Sequence, residues 1–346
     1  MGGMKYFLGV LLVFLMTGTA LAADFTVQPY PRNGQGASAE DWNAAMKDLG
    51  DLRAAAVVIS KSWKDLEPGS RVYGDIEQLA KDFSDNAAAG RAVFFGFQPI
   101  NTVRRELPRD LAAMAWNDAE MIARFKELVV KLAESGATPP KYVSLANEAD
   151  VYFEKNPKEI GAFLKFYEQA QAILKQNGWS QSRIGITVTF DGLLKGRTAI
   201  ADKLLQASEI AIFTYYPVID LKPLPVENIT EHLDLMQKAA GEKDIVLQEA
   251  GYPSSEGIGS SEARQAKFFD TLISAVRARD QFRMASLFAL HDFSAAACDN
   301  YAAYYGFGKA PKATRRKFRD FLCTLGLKRA DGTGKAAWQT VVKNLE

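Results

Sequence analysis

The strongest constraint on this chain is an alternation that runs almost from end to end: short apolar runs separated by segments with helical periodicity. The runs are Phe25 to Pro29, Ala55 to Ser60, Arg91 to Phe97, Tyr142 to Ala146, Ile184 to Phe190, Ile210 to Thr214, Ile245 to Gln248 and Ala285 to Leu290. Runs such as Ala55 to Ser60 place apolar side chains at consecutive positions, which suits strands covered on both faces. Ser38 to Gly50 reads as a helix, with Ser38 and Asp41 as a capping box and Trp42, Met46 and Leu49 on one face. A second helix starts near Asn117 and Glu120 and carries Ile122, Phe125, Val129 and Leu132 to a stop at Ser135-Gly136. Ile160, Phe163, Tyr167, Ala170 and Leu174 mark a third; Phe268, Leu272 and Val276 mark another between Ser261 and Arg279; Trp338 to Leu345 closes the chain. Strands alternating with helices over 346 residues predict an α/β fold, a single (β/α)₈ barrel spanning residues 23–346.

The first 22 residues are expected to be a secretory signal. Lys5 is the only charge before Asp24, Tyr6 to Met16 is almost wholly apolar, and Ala20-Leu21-Ala22 has the small-x-small form of a cleavage site. The apolar stretch is shorter than the ~20 residues of a membrane span. The expected location is therefore secreted or periplasmic, with no membrane attachment after cleavage. Lys and Arg number 42 and Asp and Glu 41, and removing Lys5 leaves a formally neutral chain. Such a chain has no long-range field for nucleic acid and suits a neutral partner; a monomer is expected. Two cysteines, Cys298 and Cys323, are candidates for a disulfide in an oxidising compartment.

In a parallel barrel, chemistry sits at the C-terminal ends of the strands. The polar residues just after the apolar runs are therefore the candidates. Glu148 follows the fourth run and Glu249 the seventh, 101 positions later. Two carboxyl groups facing one cleft are what glycosidic cleavage requires: Glu148 as general acid/base, Glu249 as nucleophile. Asn147 and Tyr216 are expected to support them. Trp63, Gln98, Tyr252, His291 and Phe293 are expected to bind substrate, the aromatic rings (Phe97 among them) by stacking on sugar C–H faces. With two histidines in the chain, His232 and His291, and no His-x-His or His-Glu-x-x-His arrangement, neither a metal nor another cofactor is expected.

At these residues the chain resembles the retaining clan A glycoside hydrolases, which include cellulases, mannanases, endo-galactanases and β-1,3-glucanases. Asn147-Glu148, Glu249-Ala250-Gly251-Tyr252-Pro253, Phe213-Thr214-Tyr215-Tyr216-Pro217 and Ser62-Trp63-Lys64-Asp65-Leu66-Glu67-Pro68 carry the likeness, with a weaker echo from Asp331-Gly332 to Trp338. The resemblance implies hydrolysis of β-linked saccharides with retention of configuration and without a metal, and endo rather than exo action is expected. Two departures stand out: Val58 occupies the strand-two position where many members have Arg, and Leu290-His291-Asp292-Phe293 stands where many have Trp. The alternative is a carbohydrate-binding barrel without activity, serving polysaccharide export or remodelling.

Overall fold

The structure, a computed structural model, describes residues 23–345 apart from 33 and 195. The expected signal, residues 1–22, lies outside the described residues. Eight parallel strands form the barrel: β1 Asp24–Val27, β2 Ala56–Ser62, β3 Ala92–Gln98, β4 Tyr142–Ser144, β5 in two pieces (Arg183–Gly185 and Thr187–Thr189), β6 Ala211–Tyr215, β7 Ile245–Ala250 and β8 Phe282–Leu287. The first piece of β5 pairs with β4 and the second with β6, while β1 pairs with β8. The ring closes where the Ala55 N–H, just before β2, donates to the Phe25 carbonyl at 3.0 Å.

Eight helices surround the strands: α1 Ala39–Asp51, α2 Ile76–Ala88, α3 Ala119–Glu134, α4 Ile160–Gln176, α5 Thr198–Ala207, α6 Ile229–Ala240, α7 Glu262–Arg277 and, closing the chain, α10 Ala336–Leu345. Between β8 and α10 the chain leaves the barrel and forms two further helices, α8 Ala295–Tyr304 and α9 Lys312–Leu322. Among the described residues no helix is long and apolar enough to cross a membrane.

The sidedness of each strand follows the two-residue period. Ala56, Val58, Phe94, Tyr142, Ile210, Ile212, Val246 and Met284 form a cluster inside the ring, so Val58 fills the barrel interior. Their neighbours Val57, Val93, Val143, Ala211, Ile245 and Ala285 belong to the larger core between strands and helices. The Ser38–Asp41 capping box forms as the sequence predicts. The buried stripe of α1, however, is Asp41, Ala45 and Leu49, and Trp42 is exposed.

Strand eight lies three residues earlier than the apolar pattern suggests. Arg283 interrupts the run, and so disguises its start. In the fold it sits at the N-terminal rim, where its Nε donates to Asp244 Oδ1 at 2.8 Å.

The segment after β2 expected at the cleft instead anchors the outer core. Trp63 is fully buried against Phe97, Phe125 and Phe166, and its Nε1–H donates to Glu67 Oε2 at 3.0 Å. Glu67 and Arg124 are both buried and form an ion pair, with Arg124 also holding Asp110 at 2.7 Å. Removing one partner of such a pair leaves a charge without compensation in a medium that solvates it poorly. Arg124→Ala should therefore lower unfolding free energy by about 3–5 kcal/mol in urea titration, and a loss within that of an ordinary surface substitution would show that the pair contributes nothing beyond packing.

Candidate active site

The register of β7 decides which of its side chains reach the barrel mouth. Leu247 pairs with Phe213 but Glu249 pairs with Thr214, and the same extra residue appears against β8. A bulge of this kind breaks the two-residue alternation, so Gln248 and Glu249 both serve the C-terminal end. Gln248 is fully buried, and its Nε2–H donates to Asn147 Oδ1 at 2.8 Å while its Oε1 accepts from Thr187 at 2.5 Å. Ser144 lies 2.7 Å from Thr187, and Asn147 donates to Asn101 at 3.1 Å. This chain of polar groups ties β3, β4, β5 and β7 together just beneath the cleft.

Glu148 is turned into the cleft by left-handed backbone, with φ at 49°. Its two neighbours in sequence hold it there: the Asn147 N–H donates to the Ile100 carbonyl, and Ala149 begins a short helix that runs to Lys155. One carboxylate oxygen accepts from Thr102 at 2.6 Å and the other from Thr214 at 2.7 Å. Glu249 Oε2 accepts from the Tyr216 hydroxyl at 2.6 Å. Both carboxyl groups line one cleft of about 520 Å³.

Their environments differ. Burial, followed by the negative charge of Glu249, pushes Glu148 up to about 8, against the opposing pull of the two threonine hydroxyls. Burial also raises Glu249, but hydrogen bonds from Tyr216, Gln248 and Gln28 favour its ionised form. Tyr216 and Tyr305 are held protonated by burial and by the nearby carboxylates. The arrangement can thus hold a proton on Glu148 near neutral pH, beside a Glu249 whose hydrogen bonds oppose the rise that burial causes.

Among the other expected site residues, Asn147, Gln98, Tyr216 and Phe293 line this cleft. Trp63 and Phe97 do not, being core residues. Tyr252 is fully buried, stacked on Phe268 at 5.0 Å, with its hydroxyl donating to the Leu224 carbonyl. His291 is buried behind the rim, its Nδ1 3.0 Å from the Tyr30 carbonyl. The earlier position of β8 explains this displacement: Phe288, not His291, is the first side chain beyond the strand and lines the cleft.

Sequence inspection missed Thr102, Phe288, Tyr301, Tyr305 and the ring-rich α8–α9 segment, and it gave Thr214 no role of its own. Thr214 lies within the Phe213-Thr214-Tyr215-Tyr216-Pro217 segment. Thr102 comes from the loop after β3 and carries no local signal; Phe288, Tyr301 and Tyr305 belong to the segment after β8, whose only signal is a concentration of aromatic residues.

Neither the comparison with protein-family models nor that with curated proteins finds a match. Solved structures do match. A GH5_18 protein from Bifidobacterium longum subsp. longum superposes with a TM-score of 0.68 at 18% identity, over 93% of this chain and 78% of that one. A GH5_18 variant from Streptomyces cattleya, solved with Manβ1-4GlcNAc, gives 0.69 at 15%, over 94% and 80%. An exo-β-1,4-mannosidase from an Opitutaceae bacterium gives 0.65 at 14%, over 93% and 59%. The likeness shows the fold, a (β/α)₈ barrel. It agrees with the architecture read from the sequence.

The raised Glu148 has a consequence for stability. The folded form keeps a proton that the unfolded chain, with Glu near ~4.3, has already lost. This contribution is complete below the unfolded value and disappears as pH rises through about 8. Glu148→Gln should therefore gain on the parent protein as pH is raised from about 5 to 9, by a few kcal/mol at most. Parallel urea titrations at both pH values check this, and a constant difference would mean that Glu148 titrates normally.

Proposed function

We propose that this protein is a glycoside hydrolase that cleaves a β-linked saccharide with retention of configuration. The observation that carries this reading is the pairing of two cleft carboxyl groups in opposite environments, Glu148 holding a proton and Glu249 braced by Tyr216.

In the first step Glu249 attacks the anomeric carbon, forming a bond from its carboxylate oxygen as the glycosidic C–O bond breaks. The proton on Glu148 passes to the departing oxygen. In the second step Glu148, now a carboxylate, takes a proton from water. The water oxygen bonds to the anomeric carbon, and the ester bond to Glu249 breaks. Glu148 regains its proton and Glu249 its charge, so both groups return to their starting state. Asn147 lies beside Glu148, with its amide fixed by Asn101 and Gln248, and is positioned to meet a sugar hydroxyl near the reacting carbon. Thr102 and Thr214 restrain both oxygens of Glu148, which keeps the acid pointed into the cleft.

Export through the expected signal and action as a monomer belong to this proposal, and the near-neutral charge supports a neutral saccharide as substrate. The expected endo action depends on the shape of the cleft and is taken up below.

The test is a reducing-end release screen on β-glucans, mannans, galactans, xylans and amino-sugar polymers, with protein lacking residues 1–22. Glu249→Gln should abolish turnover with the fold intact by circular dichroism. Glu148→Gln should slow substrates with poor leaving groups by about 10²–10⁴, spare activated aryl glycosides at the first step, and recover partly with azide. Unchanged rates in the Glu249 variant would refute the assignment. Saccharide binding by calorimetry without release by the wild-type protein would instead support the carbohydrate-binding alternative.

A further inference from the structure

The geometry points to exo action: the cleft takes the non-reducing end of a saccharide chain and encloses its terminal sugar. This inference rests on the hydrolase reading above and specifies how that site meets its substrate.

Residues 288–335 form a strap across one side of the barrel mouth. At its base Lys335 pairs with Asp292 at 2.7 Å, both largely buried, and the Gly326 N–H donates to the same carboxylate at 2.9 Å. Gly326 packs so closely that a Cβ there would lie 2.1 Å from the Asp292 nitrogen. A disulfide joins Cys298 on α8 to Cys323 after α9, with Cα atoms 6.0 Å apart, as the cysteine count suggested.

The strap does not end above β8. Phe293 meets Tyr30 of the β1 loop at 4.4 Å. Tyr304 at the end of α8 reaches the β3 loop, where its hydroxyl donates to Glu106 at 2.8 Å and sits 3.1 Å from the Asn101 carbonyl. Arg104 lies 3.7 Å over the Tyr304 ring and donates to its carbonyl at 2.9 Å. Glu106 in turn pairs with Lys64 of the β2 loop. The strap thus joins the rims of β8, β1, β2 and β3.

The cleft records this covering. Among the described residues, nothing before Gln98 lines it. The strap supplies Phe288, Phe293 and Tyr301 on the β8 side, Tyr305 beside Glu148 and Thr102, and Phe318 and Phe321 of α9, the last 6.0 Å from the Tyr216 ring after β6. On the other side it continues past Val151, Thr189, Asp191, Arg197 and Asp220, from the β4, β5 and β6 loops.

The position of the two carboxyl groups gives the direction. Glu249 ends β7, next to the strap's root, and Glu148 follows β4, on the side that continues. The acid protonates the leaving oxygen, so the leaving chain extends beyond Glu148 toward the β4–β6 loops. The sugar over Glu249 then has the strap behind it. A sugar with another residue on its non-reducing side would have to pass through the packed rings of Phe288, Phe293 and Tyr301. An internal segment of a polymer does not fit, whereas a chain end does.

The test uses β-linked gluco-, manno-, galacto- and xylo-tetraoses labelled at the reducing end, each with a free or a 4-O-blocked non-reducing terminus. The wild-type protein should release monosaccharide as its first product and lose turnover on the blocked chains. It should also cleave nitrophenyl β-monosaccharides. First products of two sugars or more, or equal turnover of blocked chains, would overturn the inference while leaving the hydrolase reading intact.

Arg104→Ala with Tyr304→Ala should detach the strap from the β3 loop and restore cleavage of blocked chains. If that variant does not fold, the wild-type product pattern decides alone. If no saccharide is turned over, calorimetry with the same oligosaccharides tests enclosure independently of catalysis. Binding of free-ended chains alone would uphold it. Equal binding of blocked chains, or no binding of either, would overturn it.

Discussion

The bulge in β7 is the constraint on which the rest of the site depends. In an unbroken strand, Gln248 and Glu249 would point to opposite faces of the sheet. The extra residue against β6 and β8 lets both act at the barrel mouth. Gln248 supplies the amide that locks Asn147 and Thr187 beneath the cleft. Glu249 becomes the carboxylate that Tyr216 holds. A buried amide with both ends satisfied is a rigid support, because each lost hydrogen bond would leave an uncompensated polar atom. The position of Asn147 fixes the turn into left-handed backbone at Glu148, and so the bulge on one side of the barrel helps to set the Glu148 carboxyl on the other.

Electrostatics follows from this placement. The two carboxyl groups share a poorly solvated cleft, and each makes ionisation of the other harder. Differences in hydrogen bonding separate them. Glu249 receives a phenol and amide donors from β1 and β7, while Glu148 receives two threonine hydroxyls and bears the main cost of the neighbouring charge. Two ordinary carboxyl groups are thus made unequal by burial, by the charge they share and by their different donors.

The strap is built by different means. Its helices are short, and its core is a small apolar cluster of Phe293, Ala297 and Cys298 with Tyr30, Phe288, Tyr301 and Leu322 packed around it. A disulfide and the buried Asp292–Lys335 pair reinforce it where apolar area is limited. Lys335 belongs to the C-terminal segment that faintly resembled the clan in sequence, and here it anchors the strap. The segment after β2 behaves similarly: Trp63 and Glu67 belong to a motif that suggested the cleft, yet they hold the outer core through Arg124.

The sequence by itself determined the architecture, because apolar runs covered on both faces and helical stripes leave few folds other than a closed parallel barrel. It also singled out Glu148 and Glu249, since each stands at the exit of a strand, and both line one cleft. Tertiary structure alone decided which aromatic rings meet the cleft. Trp63, Tyr252 and His291 carry the same kinds of side chain as Phe288, Phe293 and Tyr305, and nothing local separates the two groups. Their fates depend on strand register: β8 begins at Phe282, with Arg283 paired to Asp244 at the rim, and with this register Phe288 stands at the mouth and His291 behind it. The coverage of β1 and β2 was likewise invisible, because it rests on contacts between Tyr304 and a loop some two hundred positions earlier in the chain. Periodicity reports the face a residue occupies within its own element, whereas long-range packing sets what that face meets.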